Sequence, residues 1–200
     1  MKHTYLSVTL AALAAATLVG CNQDLSQYTA DAPASVSAAV DTLIDYGHWG
    51  ALYPHQYNLQ KALVYAIQDE HVAQGEYQYI NRRFNSPPAF RGIVNAEGGH
   101  ITALTNLFVQ RGWPVPPNVA SRYIVTVNTL AEAYAVGVQA EIDNIAMYNK
   151  FLSRTDLPSN WRTVFTNLRD ASVCHQNAFE RQLNGGGGGG GGRGGCGGGR

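Results

Sequence analysis

Residues 58–84 read NLQKALVYAIQDEHVAQGEYQYINRRF. Leu59, Leu63 and Ile67, then Val72, Tyr77 and Ile80, recur at helical spacing, no proline interrupts them, and Gly75 is the one weak helix former. At about 1.5 Å per residue such a helix runs roughly 40 Å. Midway along it stands Glu70, on a face it shares with the small and apolar Ala66, Ile67 and Ala73, which predicts a carboxylate pointing inward.

The same kind of pattern returns three times. Ser86-Pro87-Pro88 ends the first helix and opens a second over 89–110, with Phe90, Ile93, Val94, Leu104 and Leu107 on its apolar positions. Gly112-Trp113-Pro114-Val115-Pro116-Pro117 stops that pattern, and a long connection reaches Thr129. A third helix is predicted over 130–152, a break at Leu157-Pro158, and a fourth helix over 160–183. Short, long, short is the connection pattern of a four-helix bundle with one crossover. The two halves also repeat. Setting Glu70 over Glu141 pairs Ala62 with Ala133, Gln68 with Gln139 and Tyr77 with Tyr148; setting His100 over His175 pairs Phe90 with Phe165, Ala96 with Ala171 and Ala103 with Ala178. The expected fold is therefore all-α: two copies of one helical hairpin, packed about a two-fold axis over residues 35–184. A shorter apolar-periodic stretch, 36–44, is expected on the outside, and the aromatic patch of His48, Trp49, His55 and Tyr57 as a lid over the bundle end.

Five side chains should meet at similar depth in this bundle: Glu70, Glu97 and His100 from the first hairpin, Glu141 and His175 from the second. Three carboxylates in an apolar core cost several kcal/mol each in desolvation unless cations neutralise them. A Glu on one helix and a Glu-x-x-His on the next, repeated, is the arrangement of di-iron and di-manganese carboxylate proteins, and the donors suit Fe or Mn, with Zn also able to bind. Ser172 breaks the symmetry, because a second Glu-x-x-His would need Glu there. Two metal ions sharing Glu97 and one metal with a weak or empty second position both stay open. Asp170 does not replace the missing carboxylate, since it lies roughly 140° around the helix from His175. Tyr77 and Tyr148, seven residues after Glu70 and Glu141, share the ligand face and read as core residues with satisfied hydroxyls, as hydrogen-bond partners of the ligands or as radical acceptors. His71 reads as surface or ligand support, and Cys174, beside His175, as a redox thiol, a further ligand or, most often in such a place, a small core residue.

The blocks Ala66-Ile67-Gln68-Asp69-Glu70, Pro88-Ala89-Phe90 with Ala96-Glu97-Gly98-Gly99-His100, Gly137-Val138-Gln139-Ala140-Glu141 with Met147-Tyr148, and Ser172-x-x-His175 with Ala178-Phe179 resemble the ferritin-like family named domain of unknown function 2202. The resemblance covers roughly residues 55–184 in order and spacing. It implies a ferritin-like bundle with a carboxylate-bridged metal site, akin in fold to rubrerythrin and bacterioferritin, with Glu70, Glu97, His100, Glu141 and His175 as ligands. Ser172 agrees with that family's pattern, so it departs from ferritin rather than from the family; His71 and Cys174 stand where Tyr and Asn are commoner.

The ends are different polymers. Residues 1–20 have a basic start, an apolar run and Leu18-Val19-Gly20-Cys21, the layout of a bacterial lipoprotein signal with Cys21 as the lipidated residue. Residues 21–34 read as a polar tether, and 185–200, which hold 13 of the 22 glycines, as an exposed tail whose partner is not legible. Cys174 and Cys196 do not form a disulfide framework, although a loose or intermolecular bridge stays open. Fourteen basic residues balance fourteen acidic ones, but Lys2, Arg193 and Arg200 fall outside the body, leaving it with three surplus acids. That excludes a phosphate-driven nucleic-acid binder. Two functions are expected to compete: a membrane-anchored redox enzyme whose metals react with O2 or peroxide outside the cytoplasm, or a lipoprotein module that metal only stabilises.

Overall fold

The structure, a computed structural model, describes residues 45–53 and 55–185. The signal segment, Cys21, the tether, residues 36–44 and the tail beyond Gly185 lie outside these. Among the described residues there are five α-helices and no strand: α1 (Gly47–Leu52), α2 (Leu59–Arg83), α3 (Pro88–Gln110), α4 (Leu130–Leu152) and α5 (Ser159–Leu183). None is long and apolar enough to cross a membrane.

Local chemistry sets the helix ends. The Asn58 side chain accepts from Lys61 N at the start of α2, and Thr129 and Glu132 form a reciprocal capping box at the start of α4. Prolines introduce α3 and α5, with Pro88 in the first turn of α3, where a missing amide hydrogen loses nothing. Both helices thus begin one residue before the predicted starts. The turn between α2 and α3 places Asn85 and Ser86 in the left-handed region, each at φ 56°, and Ser86 N donates to Asn81 O.

The four long helices form an all-α bundle. α2 pairs with α3 and α4 with α5, while α2 faces α4 and α3 faces α5 across it. The crossover between α3 and α4 runs back along α2, where Val125 N donates to the buried Glu76 carboxylate and Tyr79 OH to Val127 O. Apolar packing divides into two clusters. One centres on Leu63, Tyr65, Leu107, Phe108, Phe151, Trp161 and Phe165, the other on Ile80, Phe90, Ile93, Tyr134 and Phe179. A polar layer lies between them.

The sequence pattern missed α1. Its six residues include two glycines and no apolar period, so it exists only by docking. Its first amides are capped from α2: Gly47 N donates to Gln68 Oε1, and His48 N to Asp69 Oδ1. Gly50 has to be glycine, because a Cβ there would stand 2.3 Å from the Tyr65 ring. The expected lid divides accordingly. Tyr57 packs edge-on to Tyr65 and Phe151 at the bundle end, and His55 bonds the Tyr65 hydroxyl, but His48 lies along the α2/α4 groove.

Candidate metal centre

The helical register delivers each acidic side chain to the polar layer. Glu70 comes from α2, Glu97 and His100 from one face of α3, Glu141 from α4 and His175 from α5, and the three glutamates are 1–3% exposed. Two groups result, Glu70/Glu97/His100 and Glu97/Glu141/His175, and within each one donor atom per residue lies within 4.8 Å of the others. Glu97 belongs to both. His100 Nδ1 stands 3.0 Å from Glu70 Oε2 and 2.9 Å from Glu97 Oε2. His175 Nδ1 stands 3.0 Å from Glu97 Oε1 and 3.4 Å from Glu141 Oε1, at angles that close no hydrogen bond, so Glu97 Oε1 and His175 Nδ1 are both buried without a hydrogen-bond partner.

The electrostatics follow from burial opposed by close charges. Desolvation alone would keep the imidazoles neutral, but Glu70 and Glu97 lift His100 to about 11, and Glu141 and Glu97 lift His175 to about 10. Burial raises Glu97 too, yet the flanking imidazoles outweigh it and hold its pKa below the ordinary value. Glu70 goes the other way, raised by full burial. Two imidazoles with raised proton affinity are thus set among three buried glutamates. Protons stand where cations would fit, and a divalent ion binding there would displace them.

Around this core the two tyrosines cross between hairpins. Tyr77 OH of α2 donates to Glu141 Oε1 at 2.7 Å, and Tyr148 OH of α4 donates to Glu70 Oε1 at 2.5 Å. Both phenols are fully buried and their pKa values are pushed well up, so they remain donors. Ser172 is buried and donates to Asn144 Oδ1. Asp170 turns away and pairs with Arg169 at the surface. His71 accepts from Asn118 Nδ2 of the crossover, outside the ligand layer. Cys174, expected most often as a small core residue, is instead half-buried and disulfide-bonded, and it joins neither ligand group.

Three polar residues of this layer escaped sequence reasoning. Asn144 donates to Asp69 Oδ2 and to Glu70 Oε1, and Asp69 in turn accepts from the backbone and the ring of His48. The i+3 spacing of Asn144 from Glu141 was a usable signal. Asp69 had none, because it lies a helical step off the ligand face and becomes buried only where α1 covers it. Among the described residues the two open sides of the centre differ. α1 crosses the α2/α4 groove, whereas among the described residues no element crosses the α3/α5 groove, where the His100 and His175 side chains keep 14% and 10% exposure.

Fold and site together define an all-α helical bundle with a buried carboxylate and imidazole centre able to hold metal ions. The donors fit such ions: each group offers two carboxylates and an imidazole, and two buried polar atoms lack partners. No family model matches the chain, and no curated protein matches it. Among solved structures, its fold is similar to that of a hypothetical protein, MJ0754 from Methanococcus jannaschii DSM 2661, with a TM-score of 0.58 over 66% of this chain and 85% of that one. At 22% identity this likeness speaks to the fold alone.

Proposed function

We propose that this protein is a ferritin-like, lipid-anchored metalloprotein that holds two metal ions, iron foremost, on Glu70/Glu97/His100 and Glu97/Glu141/His175, and that the centre reacts with O2 or peroxide outside the cytoplasm. The observation that carries the metal reading is the pair of three-residue groups sharing Glu97, in which Glu97 Oε1 and His175 Nδ1 are buried yet unbonded. Leaving such atoms unsatisfied costs about 1–3 kcal/mol each, which a shared cation would remove. Three protein donors per ion also leave coordination positions open, as reactive sites do and purely structural sites do not. The lipid anchor at Cys21 and the ferritin-like assignment rest on the sequence blocks.

Bound iron would supply one-electron chemistry toward O2 or peroxide. The protein's part is positioning. Tyr148 and Tyr77 hold the terminal carboxylates Glu70 and Glu141, the two aromatic clusters keep bulk water from either end, and the α3/α5 groove admits a small oxidant past His100 and His175.

Anaerobic Fe(II) loading followed by O2 or peroxide tests the reading. Two irons per chain, matching the two groups, and a growing ferric absorption that is lost in Glu97→Ala are expected. Tightly bound zinc without Fe(II) oxidation would leave the stabilising module instead, and no bound metal would remove both readings. Cys21→Ser is expected to release the chain from the membrane fraction.

A further inference from the structure

The two metal-ligand groups are alike in donors but not in support. Setting His100 over His175 puts Ser172 opposite Glu97, and setting Glu70 over Glu141 puts Asn144 opposite Ala73. One half therefore carries Glu and Ala where the other carries Ser and Asn. The Ser172 hydroxyl donates to Asn144 Oδ1 at 2.8 Å, which fixes the amide. Asn144 Nδ2 then points between two carboxylates, donating to Asp69 Oδ2 at 3.1 Å and Glu70 Oε1 at 3.3 Å. The flipped amide would set oxygen against both carboxylates, so this orientation alone satisfies the group. Glu70 is consequently held at both oxygens, by Tyr148 and Asn144 on Oε1 and by His100 on Oε2. Glu141 is held at one oxygen, Oε1, where Tyr77 donates at 2.7 Å and His175 Nδ1 stands at 3.4 Å without closing a hydrogen bond. The residue that would serve it as Asn144 serves Glu70 is Ala73, which has no polar side chain.

We propose that Asn144, oriented by Ser172, is a positioning residue that makes the two metal positions unequal. It locks Glu70 at both oxygens so that Glu70/Glu97/His100 is organised in advance and binds tightly, whereas Glu141, held at one oxygen, is organised less, so that Glu97/Glu141/His175 binds weakly and exchanges. The inference rests on the metal reading above. A donor carboxylate fixed before binding loses less freedom when the ion arrives, and removing such a support typically weakens a metal site about 10- to 100-fold.

Titration of the metal-stripped full chain with Co(II), read by its d–d absorption and by competition with a chelator, tests this. The wild type is expected to bind two Co(II) in well-separated steps. In Asn144→Ala the first step should weaken about 10- to 100-fold toward the second, and the band of the first equivalent alone should shift. Ser172→Ala should move both readouts the same way by less, and Ser172→Thr, which keeps the hydroxyl, should restore them. Circular dichroism of the metal-free variants checks folding, and if Asn144→Ala does not fold, the Ser172 pair carries the test. Two steps that keep their separation and first band in Asn144→Ala, or that weaken equally, would overturn the inference while leaving the metal reading intact. A wild-type chain that binds no Co(II) would overturn both.

Discussion

The hairpin α2–α3 and the hairpin α4–α5 are built to one plan, and their differences come in compensating pairs. Both bury the same small and phenolic positions, Ala62 with Ala133 and Tyr77 with Tyr148. Each supplies a terminal glutamate and a histidine. Neither is complete alone, because Tyr77 serves the glutamate of the other hairpin and Tyr148 returns the favour. Where one half has Glu97 and Ala73, the other has Ser172 and Asn144. Where one buries Ala66 and Leu104, the other has Gly137 and Phe179: the extra ring is accommodated because the facing residue has no Cβ. A buried Met147 answers the buried Glu76. The repeat supplies the scaffold, and paired departures from it give the centre its asymmetry.

Breaking the pair Glu97 and Ser172 should have the largest effect. Glu97→Ala removes the donor common to both groups and is expected to abolish metal binding at both positions, whereas Ser172→Ala keeps two ions per chain; elemental analysis reads the difference. Next comes the packing pair. In Gly137→Ala the new methyl would stand 2.8 Å from the Phe179 ring, and a loss of about 1–3 kcal/mol in denaturant unfolding is expected, largely restored in Gly137→Ala/Phe179→Leu, which reproduces the other half. The third test is pH. In metal-free protein the raised His100 and His175 stabilise the fold fully below their unfolded pKa near 6.5, and this stabilisation drains away as pH rises to about 10–11; unfolding free energies across that window should fall, and should flatten in His100→Gln/His175→Gln. The smallest effect belongs to Glu76, which burial lifts to about 7. Its folded state holds the proton more tightly than the unfolded one, so stability declines between pH 4.5 and 7; Glu76→Gln should remove that decline and raise Tm slightly at pH 8, with no gain below pH 4.5.

Much of this was legible beforehand. The periodicity over 130–152 agrees with both ends of α4, whose first turn Thr129 and Glu132 cap, and α2 is one residue shorter at each end than the 58–84 pattern, with Asn58 as its cap. The five candidate ligands stood out because charged residues on an apolar helical face need a partner, and the repeat supplied the register. Asp69, Glu76, His48 and α1 were not legible. Asp69 and Glu76 look like ordinary polar residues off the ligand face until α1 and the crossover bury them, and GHWGAL has too little intrinsic preference to announce a helix.

The sequence by itself determined the four long helices, their order, their repetition and the depth at which five donor residues lie, since periodicity, capping and proline placement act within a few residues. Only the tertiary structure decided which tyrosine holds which glutamate, that Asn144 and Ser172 support one side of the centre, and that among the described residues α1 covers the α2/α4 groove and no element crosses the α3/α5 groove. Those are contacts between segments distant along the chain, chosen by how the packed helices share a limited interior, and no local rule encodes them.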